Sequence, residues 1–225
     1  MSELVAKGGG HHAVIDHEVG CTGIHHRKLI MWAFLGSDCM FFGTLIMTYL
    51  VYHGRSQAPP YPYETFSIMV TSISTFVLLC SSLLMVLALA AIQRNDLFWF
   101  RIWTVGTAIF GLIFLGFQAY EFTEFAHAVK AADGHIVRQA LGLSTNLFGS
   151  SFFLLTGTHG THVALGVVWL LSLVSFSFTG KLNNDRALDV EIAGLYWHFV
   201  DIVWIVIFTV VYLVEFLQHA GMPKV

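Results

Sequence analysis

Charge is what this sequence has least of. Of its 225 residues only 11% are Asp, Glu, Lys or Arg, whereas 56% are hydrophobic, and the mean hydropathy is +0.71. A water-soluble domain carries about 25% charged residues and needs them to coat its surface. A chain this poor in charge cannot do so, and its outer surface must face lipid. Cysteine is scarce as well. Cys21 lies in a polar segment, and Cys39 and Cys80 lie in apolar runs, a pattern that suits neither a disulfide framework nor a thiolate metal site. There is no basic block and the net charge is −3, which argues against nucleic acid as a partner. The first 28 residues lack the apolar core of a cleaved signal, so insertion is expected to be driven by the first long helix.

What the chain has in quantity is long apolar runs. Five stand out, from Leu29 to Tyr52, Phe66 to Ile92, Phe98 to Ala126, Leu143 to Phe178 and Glu191 to Leu217. Each is long enough to cross a hydrocarbon core of about 30 Å as a helix rising about 1.5 Å per residue. Between them lie loop signals. Ala58-Pro59-Pro60-Tyr61-Pro62 forbids continued helix. Gln93 to Asp96 reads as a tight polar turn, Lys130 to Gln139 as a polar loop with Asp133-Gly134, and Gly180 to Arg186 as a loop with an Asn183-Asn184 pair. No repeat or low-complexity linker interrupts the pattern. The expected fold is all-α and integral to the membrane, a single bundle of five transmembrane helices over residues 28–218. A polar tail rich in His and Gly (1–27) precedes it and a short tail (219–225) follows.

Five spans put the N-terminus and the second and fourth loops on one side. That side holds Lys7, Arg27, Lys28, Arg94, Arg101, Lys181 and Arg186; the other holds Arg55, Lys130, Arg138 and Lys224. The excess of Lys and Arg places the N-terminus in the cytoplasm and the C-terminus outside.

Against this background the ionisable residues inside the spans attract attention. Asp38 follows Lys28 by ten residues, about 15 Å of helix and therefore close to the bilayer centre; Asp201 follows Glu191 by the same interval. His198 shares a helix face with Asp201, and His159 and His162 are also three apart, among Thr156, Thr158 and Thr161. Glu121 and Glu124 repeat the spacing near the outer end of the third span. An acid at mid-membrane costs about 2.5–3.5 kcal/mol on insertion scales, so each should face the bundle interior. Two readings stay open for these groups: a proton path, ion site or cofactor site, or a hydrogen-bonded network that fixes helix packing. Haem would want histidines on facing helices, and His159 and His162 lie on one. A zinc or di-iron site would want Glu-x-x-His pairs or clustered carboxylates, which are absent. His11, His12, His17, His25 and His26 sit in the glycine-rich tail and read as a solvated segment. Trp99, Trp103, Tyr61 and Tyr63 occupy belt positions, whereas Trp197 and Trp204 lie inside the fifth span near Asp201, where an indole N–H could donate to an acid or a lipid headgroup.

Several of these segments resemble one family. Tyr196-Trp197-His198-Phe199-Val200-Asp201-Ile202-Val203-Trp204 is similar to the last-helix signature of subunit III of haem–copper terminal oxidases. Phe152 to Val163 (FFLLTGTHGTHV) resembles its FFxxTGxHGxHV segment, Gln118-Ala119-Tyr120-Glu121-Phe122 its QAxEY element, and Ser37-Asp38-Cys39-Met40-Phe41-Phe42 its SExMFF element. The order matches, and the resemblance covers residues 28–217. It departs in two ways: the family's seven-helix members have two further helices that form one wall of a lipid cleft, and glutamate is usual where this chain has Asp38.

The resemblance implies a subunit without a catalytic centre, cofactor or metal of its own, in a proton-pumping cytochrome c oxidase of the bacterial cell membrane. Haems and copper would belong to partner subunits I and II, and this chain would pack on subunit I, hold phospholipid and support oxygen access and proton uptake. Asp38, Glu121, His159, His162, His198, Asp201, Trp197 and Trp204 would then form its polar, lipid-holding interior. Alternatives are the subunit III of a quinol oxidase, the related partner of a nitric oxide reductase, a small transporter built around Asp38 and Asp201, and a haem cytochrome using His159, His162 and His198.

Overall fold

A computed structural model describes residues 25–52, 68–126, 129–130, 136–138, 147–179 and 187–213. The N-terminal tail to residue 24, the Pro59–Pro62 loop with Tyr61 and Tyr63, the 180–186 loop and the C-terminal tail lie outside them. Five long helices carry the fold: α1 (His26–Tyr52), α2 (Ile68–Gln93), α3 (Leu97–Ala126), α4 (Leu147–Phe178) and α5 (Ala187–Ile207). All five are long and apolar enough to span a membrane. The expected membrane bundle is therefore present, with helix ends within a few residues of those read from hydropathy.

Two local features were not anticipated. The segment expected to be a polar loop after α3 contains a small antiparallel ladder, β1 (Val129–Lys130) against β2 (Ile136–Arg138), pairing Val129 with Arg138 and Lys130 with Ile136. Asp133-Gly134 between them is a hairpin-turn dipeptide, and Val129, Ile136 and Val137 are β-branched, which favours pairing. Secondly, α5 runs on into a π-helical turn, Phe208–Leu213. Such turns appear mostly as single-turn insertions, and here Val211 and Tyr212 are buried.

The helices are apolar on nearly every side because lipid takes the place of water outside. Their outward hydroxyls therefore bond to their own backbone. Thr44 Oγ1 donates to the Phe41 carbonyl, Thr158 to that of Leu154, Thr161 to that of Gly157 and Thr209 to that of Ile205, at 2.6–3.0 Å.

The α2–α3 corner is closed by a Schellman motif. Asn95 has a left-handed φ of 60°, its amide donates to the Ile92 carbonyl, and the Asp96 amide reaches back to that of Ala91. Asp96 then caps α3, accepting from the Trp99 amide through Oδ1 at 3.3 Å. At the same membrane face Arg101 donates to the Ser177 carbonyl and hydroxyl, each at 2.8 Å, and lies 4.4 Å from the centre of the Phe178 ring. The start of α3 is thereby fastened to the end of α4.

Among the described residues α5 is central, packing on α1, α2 and α4; α3 packs on α2 and α4, and α1 packs chiefly on α4 and α5. Half of the α5 span is buried, against 22% of α1. The edge helix is also pinned by charge: Arg27 pairs with Asp189 at 2.6 Å and Lys28 with Glu191 at 2.5 Å. Asp189 lies in the first turn of α5, where a carboxylate also suits the helix dipole, and this turn begins before the expected start at Glu191.

Candidate functional site

The buried polar residues separate into three groups along the bundle. The first joins the edge helix to α4. Asp38 Oδ1 lies 3.4 Å from His162 Nε2, and His162 Nδ1 lies 2.8 Å from the Thr158 carbonyl. A carbonyl only accepts, so Nδ1 carries a hydrogen. Contact between Nε2 and the carboxyl group is then attractive only when a further proton lies between them, on the imidazole or on Asp38. A pair that shares one proton in this way is net neutral, the form that hydrocarbon tolerates. Phe42, one turn after Asp38, meets the His162 ring edge-on at 5.0 Å.

The second group surrounds the middle of α5. Trp197 is fully buried, and its Nε1 donates to Ser81 Oγ at 3.0 Å. Its ring is received by glycines. A Cβ on Gly111 would stand 2.6 Å from the ring, and one on Gly166 would stand 3.0 Å away. His198 Nδ1 lies 2.6 Å from Ser82 Oγ. Asp201 is 3% exposed, and among the described residues neither of its oxygens has a hydrogen-bond partner. Ser82 also faces it, with its Oγ 2.6 Å from His198 Nδ1.

His159, one turn from His162, points elsewhere. It is fully buried, stacked on Trp204 with centroids 4.9 Å apart and met edge-on by Phe114 at 5.9 Å. Neither of its ring nitrogens is hydrogen-bonded among the described residues. Trp204 Nε1 donates to Thr75 Oγ1 at 2.9 Å. The two inward tryptophans therefore donate to hydroxyls of α2, and the acid or lipid headgroup expected as their acceptor is not the one used. Thr75 and Ser82 lie seven residues apart on one face of α2 and Ser81 lies about 100° round from Ser82, so α2 meets α5 with hydroxyls and satisfies it without a charged partner.

The third group sits toward the far ends of α2, α3 and α5. Glu121 Oε1 accepts from Thr71 Oγ1 at 3.0 Å, and Oε2 accepts from Tyr212 at 3.2 Å. The π-turn brings Tyr212 to this position. Nearby, Gln118 Nε2 donates to the Thr156 carbonyl of α4 at 2.6 Å.

Sequence reasoning found the acids, histidines and inward tryptophans but missed their partners Thr71, Thr75, Ser81, Ser82 and Tyr212. The α2 hydroxyls offered a signal in their spacing; Tyr212 offered none, because its azimuth depends on the π-turn. Among the described residues, no three His, Cys, Asp or Glu side chains converge as a metal site. Each described mid-span histidine has its own surroundings: His162 is held by Thr158 and Asp38, His198 by Ser82, and His159 is boxed by aromatic rings.

Comparison with known proteins gives this arrangement a family. The profile described as cytochrome c oxidase subunit III matches residues 21–215. A probable quinol oxidase subunit 3 of Staphylococcus saprophyticus is 38% identical over 189 residues, covering 84% of this chain and 89% of its own length. The cytochrome c oxidase subunit 3 of Bacillus sp. PS3 is 38% identical over 188 residues, covering 84% and 86%. The quinol oxidase subunit 3 of Bacillus subtilis is 37% identical over 182 residues, covering 81% and 84%. The match extends from before α1 to past the π-turn, across the whole described bundle, and the chain belongs to the cytochrome c oxidase subunit III family.

Proposed function

We propose that this chain is the redox-silent subunit III of a proton-pumping haem–copper terminal oxidase in a bacterial cell membrane. It packs on the subunit I that bears haem and copper, alongside subunit II, with its N-terminus in the cytoplasm. The observation that carries the reading is the family match over all five helices. The site geometry supports a scaffold: its polar groups join α1 to α4, α2 to α5, and α3 to α2, α4 and the π-turn, a network suited to holding a bundle in one packing. Haem and copper supply the oxygen chemistry and belong to the partner subunits. This chain shapes the apolar surroundings, holds phospholipid against them and supports oxygen access and proton uptake by the subunit it covers.

Relatives named for cytochrome c and for quinol oxidases match equally well, at 38% identity each. In this reading the companion subunits select the electron donor, and a quinol oxidase is the second reading.

Native mass spectrometry of the mildly solubilised membrane complex tests the proposal. The chain is expected to co-purify with a large haem-bearing subunit, whose identity also reports the donor. A haem Soret band in the isolated chain, or solute or proton flux through the chain alone in liposomes, would overturn it.

A further inference from the structure

The corner between α2 and α3 holds a cation, Arg94, that no ion pair engages among the described residues. A cavity of about 400 Å³ opens there, lined by Leu87, Ala90, Arg94, Asp96, Trp99 and Trp103. Its depth follows from the fold. The Arg94–Asp96 turn joins the ends of two spans, so its charges lie at headgroup level, whereas Ala90 and Leu87 lie one and two turns back along α2, toward the hydrocarbon. Trp99 and Trp103 form the opposite wall, stacked with centroids 5.7 Å apart, at the level where amphipathic indoles sit between water and lipid.

The charges at this corner are complementary to a particular headgroup. Arg27, Lys28 and Arg101, at the same membrane face, are engaged by Asp189, Glu191 and Ser177. Arg94 has no carboxylate within ion-pair distance among the described residues, and its side chain lines the cavity. Asp96 caps α3 through Oδ1, and its other oxygen takes no part in that bond. The mouth of an apolar groove thus offers a cation and an anion two residues apart.

We propose that this corner binds one bilayer phospholipid with a zwitterionic ethanolamine headgroup. Arg94 takes the phosphodiester and Asp96 the primary ammonium, and an acyl chain lies along Ala90 and Leu87 beside the two indoles. Guanidinium to phosphate is a charge-assisted contact of the strong kind. A glycerol headgroup would gain Arg94 but would leave its net negative charge facing Asp96. A choline headgroup would offer that carboxylate no N–H donor. The inference rests on the lipid-holding role proposed above and gives it a position and a headgroup class.

The test uses the delipidated oxidase complex containing this chain, supplied with palmitoyl-oleoyl phosphatidylethanolamine or phosphatidylglycerol at equal concentration. Lipid retained on the chain is read by native mass spectrometry. The ethanolamine lipid should be retained in preference by about threefold or more, and R94A should weaken that retention about tenfold, as expected for loss of one charge-assisted contact. D96N, which keeps a good helix cap, should remove the preference while retaining lipid. Equal retention by R94A and the parent, or a preference for the glycerol lipid, overturns the site. If R94A retains the ethanolamine lipid as the parent does while the chain stays in the complex and carries phospholipid, the lipid-holding role survives and only this site falls. If the chain never joins an oxidase, the same titration on the full chain in nanodiscs decides the site independently.

Discussion

Asp38 and Asp201 enter the membrane to the same depth and solve the same problem in opposite ways. Each follows by ten residues a side chain of the Lys28–Glu191 ion pair, so the two carboxyl groups start from one anchored plane. Asp38 lies on the edge helix and meets His162 across a helix–helix contact. Asp201 lies on the central helix with no hydrogen-bond partner among the described residues. At the edge, two polar groups neutralise each other and hold α1 where packing is thin. At the centre, close packing does the holding and the carboxyl group is simply enclosed.

Removing the partner of Asp38 is the largest test of that contrast. His162→Leu leaves a mid-membrane carboxyl group unpaired, and stripping one member of a buried pair costs about 3–5 kcal/mol. Asp38 sits on the less buried helix, so about 2–3 kcal/mol is expected, read as a lowered midpoint for thermal dissociation of this chain from its complex. The double variant Asp38→Asn with His162→Gln, which replaces both charge-bearing groups by amides, should recover more than half of the loss. Equal instability of single and double variants would show that the two residues act separately.

The next effect belongs to the centre. Gly111→Ala places a methyl group 2.6 Å from the Trp197 ring, which is fully buried and pressed against Gly166 on another side. The ring has nowhere to go, and overpacking of this kind costs about 1–3 kcal/mol. A midpoint unchanged from the parent would mean that the centre is looser than the contact implies. Asp201→Asn, in contrast, should cost less than about 1 kcal/mol, since no strong hydrogen bond is lost. A loss as large as that of His162→Leu would reveal an ionic partner for Asp201 and erase the contrast.

The residues also show what a sequence of this kind discloses. Distance along the helix was legible: ten residues from Lys28 and ten from Glu191 give both acids the same rise from an ion pair that the fold forms, because helical rise is fixed. Azimuth was only partly legible. His159 and His162 are neighbours in sequence, yet one enters an aromatic box and the other meets α1, because three residues of helix differ by about 60° in direction from a full turn. Partners on other helices were legible least. Trp197 and Trp204 could have donated to any acceptor, and only the placement of α2 beside α5 selects Ser81 and Thr75. The hairpin after α3 and the π-turn that aims Tyr212 depend on local geometry that hydropathy does not encode.

The smallest effect concerns the anchor from which both acids are measured. Lys28 and Glu191 are partly exposed at the end of the bundle, where headgroups and water screen charge, so the pair contributes about 0–1 kcal/mol. Lys28→Gln should accordingly leave the dissociation midpoint within about a degree or two of the parent, with any difference vanishing at high salt. Its informative readout is geometric. If the ion pair only decorates a register already set by packing, cysteine cross-linking between introduced residues at Phe34 of α1 and Tyr196 of α5, whose rings lie 6.5 Å apart, should be as efficient in Lys28→Gln as in the parent. If the pair sets the register, that efficiency should fall, and the Asp38–His162 contact should weaken with it. A fall would mean that the equal depth of the two acids is maintained by charge at the surface rather than by the fit of the helices.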